Sequence, residues 1–86
     1  MDKFVEKMRR SPNNIRFDEL DRFLTRRGFR SRQRGTSHIV YKQPGGVRIT
    51  VTWPHSGRNT VNRGAVEDVL RFLAAEEHGY DDQDAR

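Results

Sequence analysis

His38-Ile39-Val40-Tyr41-Lys42-Gln43-Pro44-Gly45-Gly46-Val47-Arg48-Ile49-Thr50-Val51-Thr52-Trp53 is the stretch that decides the fold. β-Branched and aromatic residues crowd both of its ends, a composition that suits pleated strands. Between them Gln43-Pro44-Gly45-Gly46 has the chemistry of a tight turn. The expectation is a hairpin of two strands, His38–Lys42 and Val47–Trp53. In the second strand Val47, Ile49 and Val51 share one face and Arg48, Thr50 and Thr52 the other. In the first, His38, Val40 and Lys42 oppose Ile39 and Tyr41. Both of these sets contain apolar residues, so the pattern leaves open which face is buried.

Upstream of the hairpin, Phe17, Leu20, Phe23 and Leu24 recur at helical spacing. Asp18 and Glu19 suit the positive end of a helix dipole and Arg26 and Arg27 its negative end. Gly28 fits the position that closes a helix, so a helix over 17–27 is expected. Phe29 to Arg34 is a first strand with only weak alternation. Residues 1–12 form a short amphipathic extension, with Phe4, Val5 and Met8 on one side, stopped by Ser11-Pro12-Asn13-Asn14. It is expected to pack on the surface of the domain that follows.

Downstream, Pro54 to Asn62 reads as a polar loop, and Asn62 is placed to cap a helix whose buried stripe is Val66, Val69, Leu70 and Leu73. Trp53 and Tyr41 can each be read as packing or as platforms for a nucleic-acid base. The domain is expected over residues 13–78, followed by an acidic, disordered tail over 79–86. The element order is helix, three strands, helix. The fold class is α+β, an α-β-β-β-α two-layer sandwich with a three-stranded antiparallel sheet and two helices on one face. The double-stranded-RNA-binding domain has the same order, an analogy of fold alone.

The 86 residues carry a formal charge of +5, with 34% charged and 33% hydrophobic residues. A chain this short buries only about 60–65% of its unfolded surface, which disfavours a deep pocket between lobes. No apolar run reaches the roughly 18–20 residues of a membrane span, and no signal-peptide pattern opens the chain. A cytoplasmic protein with no membrane partner is expected. The absence of cysteine excludes disulfides, thiol catalysis and thiolate-bound zinc.

Charge is strongly segregated. Between Asp21 and Glu67 there is no acidic residue, yet ten basic ones occur: Arg22, Arg26, Arg27, Arg30, Arg32, Arg34, Lys42, Arg48, Arg58 and Arg63. From Gly64 onward the balance is −5, so residues 1–63 carry +10. The excess is nearly all arginine, whose planar fork suits phosphate and base stacking. Solvated surface charge is the bland reading; a polyanion, or an acidic partner protein, is the functional one.

His38 is the candidate reactive group, because imidazole titrates near neutral pH and can take a proton from a ribose 2′-OH. A strand histidine satisfied by the backbone is the competing reading. Ser37 and His38 do not form a hydrolase pair, since no acid lies near in sequence to orient the ring. The basic region lacks the clustered carboxylates of two-metal nucleases. His55 and His78 make no metal-ligand spacing with His38. No metal and no cofactor is therefore expected. Arg34, Lys42 and Arg48, the basic residues nearest His38 in sequence, are the candidate phosphate contacts, joined by Ser37 and by Arg58 from the loop.

Arg34-Gly35-Thr36-Ser37-His38-Ile39-Val40-Tyr41-Lys42-Gln43-Pro44 resembles the glycine–serine–histidine strand motif of the HicA toxins, also called the YcfA family. The context agrees: Arg16-Phe17-Asp18-Glu19-Leu20 leads into a helix ending Gly28-Phe29. Downstream, Val47–Val51 is followed by Pro54-His55-Ser56-Gly57, Val61-Asn62-Arg63 and the helix Val66 to Leu73. The resemblance spans about residues 13–75. It implies a double-stranded-RNA-binding-like fold, cleavage of mRNA, and a HicB-like antitoxin protein that blocks the toxin. It maps the catalytic histidine onto His38, directly after Ser37. The sequence departs from the motif at Thr36, where glycine is commoner and would let backbone approach a phosphate closely. Two rival readings stand beside it: a non-catalytic RNA-binding module on the same fold, and a basic face that docks an acidic protein.

Overall fold

Asp2 sets the first helix going by accepting the Phe4 N–H on its side chain at 2.9 Å. In the computed structural model, which describes residues 2–35, 37–54 and 57–84, with side chains as far as Glu77, helix α1 then runs Lys3–Arg10. Ser11 ends it, donating its N–H to the Lys7 carbonyl, and Pro12 opens a single 3-10 turn, Pro12–Asn14. The amphipathic extension does more than lie on the surface. Met8 is fully buried in the same cluster as the residues of the sheet, Phe4 meets Phe23 with ring centroids 5.2 Å apart, and Lys7 bonds the Glu19 carboxylate at 2.9 Å.

Helix α2, Phe17–Arg26, ends one residue earlier than its periodicity predicts. At its start the Glu19 side chain accepts the Arg16 N–H at 3.1 Å, half of a capping box. The guanidinium of Arg16, which has no acceptor, bonds Asp18 instead. At its end Phe29 N–H returns to the Leu24 carbonyl and Gly28 N–H to Thr25, the Schellman arrangement. Gly28 takes the φ of +90° that this reversal needs.

The chain then forms three antiparallel strands in the order β1-β2-β3: Arg30–Arg34, His38–Lys42 and Arg48–Thr52. Lys42 faces Arg30 on one side and Arg48 on the other, while His38 faces Arg34 and Thr52. Gln43 N–H bonds the Val47 carbonyl and Gly46 N–H the Gln43 carbonyl, closing the expected turn with Gly45 and Gly46 both at positive φ.

The ambiguity in β2 is resolved by a helix. Ile39 and Tyr41 are buried with Ile49 and Val51, and the Tyr41 hydroxyl donates to Asp21 of α2 at 2.6 Å. Burial, with the hydrogen bond to Asp21 and its negative charge, pushes the Tyr41 phenol above its ordinary range. Tyr41 is therefore a core residue with a satisfied polar tip. Val47, which alternation groups with Ile49 and Val51, precedes β3 and is exposed at the turn.

Helix α3, Arg63–Asp84, buries Ala65, Val66 and Val69 and half-buries Leu70 and Leu73; Phe72 meets Phe29 edge to face at 5.2 Å. Asn62 precedes it, but its side-chain oxygen accepts the Thr52 N–H of β3 at 2.9 Å, and its backbone carbonyl receives the Ala65 N–H. It thus staples strand to helix. The backbone of α3 stays helical through Asp84, across most of the stretch expected as an acidic tail. One interior glycine costs a helix only about 1 kcal/mol, and the Ala-Ala-Glu-Glu before it favours helix. The α-β-β-β-α sandwich holds, with α1 added to its helical layer. Thr36, His55 and Ser56, and the side chain of His78, lie outside the described residues.

Candidate nucleic-acid interface

Because the helices pack behind Ile39, Tyr41, Ile49 and Val51, the other sheet face carries nothing from the described residues. Register arranges that face in three cross-strand rows. Arg34, His38 and Thr52 form one end row, Arg32, Val40 and Thr50 the middle, and Arg30, Lys42 and Arg48 the other end. Successive residues on one face are about 6.8 Å apart along a strand, so the end rows lie about 14 Å apart. A shallow groove runs between them, lined by Arg30, Arg32, Arg34, Val40, Lys42 and Arg48.

The five cations of this face share one property. The ion pairs among the described residues lie on the helices and their caps: Lys7–Glu19, Arg10–Glu6, Arg16–Asp18, Arg22–Asp18, Arg27–Glu76, Arg63–Glu67 and Arg71–Asp68. None involves Arg30, Arg32, Arg34, Lys42 or Arg48. The cause is in the sequence, since all three strands fall inside the acid-free window and the acids of α2 and α3 are behind the sheet. Five neighbouring positive groups without internal carboxylates repel one another and make the open face strongly positive.

His38 is exposed on this face, opposite Arg34. Ser37, half-buried, accepts the Trp53 N–H on its carbonyl at 2.7 Å, which extends the β2–β3 ladder one step past the His38–Thr52 pair. Of the predicted site residues, then, Arg34 and Ser37 adjoin His38. Lys42 and Arg48 share the face but sit at its far end. Arg58 lies off the face, on the loop that Phe17 N–H to Asn59 carbonyl (2.7 Å) and Val61 N–H to Ile15 carbonyl (2.8 Å) pin to the start of α2. Arg30 and Arg32 belong to the face and were not among the residues chosen by sequence proximity to His38. Their alternation with Ser31 and Gln33 was the available signal, but it needed the β1–β2 register to become a surface.

The family model for the HicA toxin of bacterial toxin–antitoxin systems matches residues 17–73, from the start of α2 to the middle of α3. The chain belongs to the HicA toxin family. No curated protein and no solved structure matches it. The matched segment contains the whole open face of this HicA toxin, with His38, and the Arg58 loop; α1, which buries Met8, lies before it.

Proposed function

We propose that the chain is a metal-independent endoribonuclease, an mRNA interferase of a type II toxin–antitoxin pair, with His38 as its acid–base group. One observation carries the reading: an exposed imidazole stands in register with Arg34 on an uncovered face whose five cations have no ion partner among the described residues. Membership of the HicA toxin family supports the toxin role.

In this mechanism the RNA backbone lies across the sheet. His38 takes the proton of a ribose 2′-OH, and the 2′ oxygen attacks the adjacent phosphorus. The bond from phosphorus to the 5′ oxygen of the next nucleotide breaks, and that oxygen receives a proton from the imidazolium. The products are a 2′,3′-cyclic phosphate and a free 5′-hydroxyl, with no net proton consumed. Arg34 stabilises the charge that builds on the phosphoryl oxygens. Lys42, Arg48, Arg30 and Arg32 hold phosphates further along the strand, and Ser37 and Arg58 flank the reacting end. DNA lacks the nucleophile, which makes RNA the substrate. The cognate HicB-like antitoxin supplies acidic surface to the same face, and the work is done in the cytoplasm, where mRNA is found.

Induction of the wild type and of His38→Ala, with total mRNA followed over time, tests the reading. The wild type is expected to arrest growth and deplete mRNA, in cell extract also with excess EDTA, while His38→Ala folds, binds RNA and is harmless. Equal toxicity of the two proteins refutes the acid–base role and leaves a non-catalytic RNA-binding module.

A further inference from the structure

Trp53 is 42% exposed, whereas the core aromatics Phe29 and Tyr41 are 3% and 1% exposed. Its ring rests against Phe17, centroids 4.8 Å apart and planes at 56°, at the end of the sheet where helical cover runs out. Two clefts meet at this indole. One, of about 430 Å³, opens toward Phe17 and Asn59, and the other, of about 510 Å³, toward Thr52 and Asn62. Trp53, Pro54 and Arg58 line both.

Three facts link these clefts to the open face. Trp53 follows Thr52, the cross-strand partner of His38, so its α-carbon is about 3.8 Å further along the chain. Its own N–H bonds Ser37, the residue before His38. Thr52 also lines the second cleft, so that cleft opens onto the His38 end of the face. A strand of nucleic acid leaving His38 therefore meets Trp53 next. The charged groups of the clefts also differ. Arg16 is tied to Asp18 and Arg63 to Glu67, but Arg58 has no ion pair among the described residues. The Asn62 oxygen is committed to Thr52, which leaves its amide NH₂ to donate.

We propose that the cleft around Trp53 seats the nucleotide next to the scissile phosphate, with its base stacked on the indole and its phosphate on Arg58. The proposal rests on RNA as the ligand of the open face. An aromatic platform accepts any base, and the Asn62 amide adds a preference for a base edge that presents an acceptor. The cleft thus contributes affinity and cleavage-site choice, while the sheet contributes charge.

Trp53 is the chain's single tryptophan, so its fluorescence reports on this cleft directly. The experiment titrates His38→Ala, which cannot cleave, with a single-stranded RNA oligonucleotide and with the same oligonucleotide made abasic. Binding is followed by anisotropy and indole emission together. RNA is expected to quench the indole in step with anisotropy, and the abasic strand to bind with little quenching. Trp53→Leu is expected to lose about 5- to 150-fold in affinity with its salt dependence unchanged. Trp53→Phe, which keeps a stacking ring and the contact with Phe17, should recover most of that loss and guards against misfolding of the leucine variant. RNA that binds fully with indole emission unchanged and Trp53→Leu at wild-type affinity overturns the cleft while sparing the sheet. No RNA binding even at low salt overturns the RNA reading itself, and an acidic partner protein as the sole quencher overturns the nucleotide as occupant.

Discussion

Arg32 stands at the middle of the open face, opposite Val40, with no carboxylate partner, and replacing it by alanine isolates what the face does. Six cations are available to RNA, the five of the sheet and Arg58. Each phosphate neutralised on a single strand contributes about −0.7 to the slope of log affinity against log salt, so full engagement gives about −4.2. Between 50 and 200 mM salt that slope costs roughly 300-fold in affinity, and with Arg32→Ala roughly 100-fold. Arg71→Ala is the control, because Arg71 is paired with Asp68 on α3, behind the sheet. Anisotropy of a labelled single-stranded RNA, measured in the His38→Ala background across that salt range, reads both slopes. The reasoning fails if Arg32→Ala leaves the slope unchanged, or if Arg71→Ala lowers it as much.

Other expectations concern the scaffold. Tyr41→Phe removes the bond to Asp21; since Asp21 is half-exposed and can rehydrate, the loss should be about 1.5 kcal/mol, read as a melting temperature several degrees lower with RNA affinity unchanged. Burial raises the Glu19 carboxyl, but the Lys7 ammonium and the Arg16 N–H outweigh it and hold the group below its ordinary 4.5. Its stabilising contribution is thus complete above that value and lost as pH falls through the lower folded one; Glu19→Gln should be less stable at pH 7 and show a flatter acid limb in denaturant titrations. Met8→Ala should cost about 2–5 kcal/mol in chemical unfolding, as a core cavity does, although Met8 lies before the family-matched segment.

How far the sequence carries differs from element to element for physical reasons. The hairpin was legible because Ile49 and Val51 alternate with polar residues and because Pro44-Gly45-Gly46 permits few backbones; β2 falls on the predicted residues. The buried face of β2 was not legible. Tyr41 and Val40 are both compatible with a core, and the choice depends on Asp21, twenty residues away, reaching the phenol. Strand β1 gives a weak signal because Arg30-Ser31-Arg32-Gln33-Arg34 has no apolar residue; β2 pairs it into the sheet, and charge keeps its free edge soluble. For the same reason proximity in sequence found Arg34 and missed Arg30 and Arg32. The role of Asn62 escaped because its cap position is local, whereas its side-chain bond to Thr52 spans ten residues. Met8 looked like the apolar side of a surface helix because burial by α3 is a tertiary fact.

The central claim is that His38 withdraws a proton from a ribose hydroxyl on a face built to hold phosphate. It is tested most directly by following cleavage of an RNA oligonucleotide beside a copy whose riboses are 2′-deoxy, with wild type and His38→Ala, and by identifying the new ends. The account predicts that wild type cuts only the ribose-bearing strand and leaves a 2′,3′-cyclic phosphate and a 5′-hydroxyl, and that His38→Ala binds the same strand without cutting it. Cleavage of the all-deoxy strand, or cleavage by His38→Ala at the wild-type rate, would contradict it.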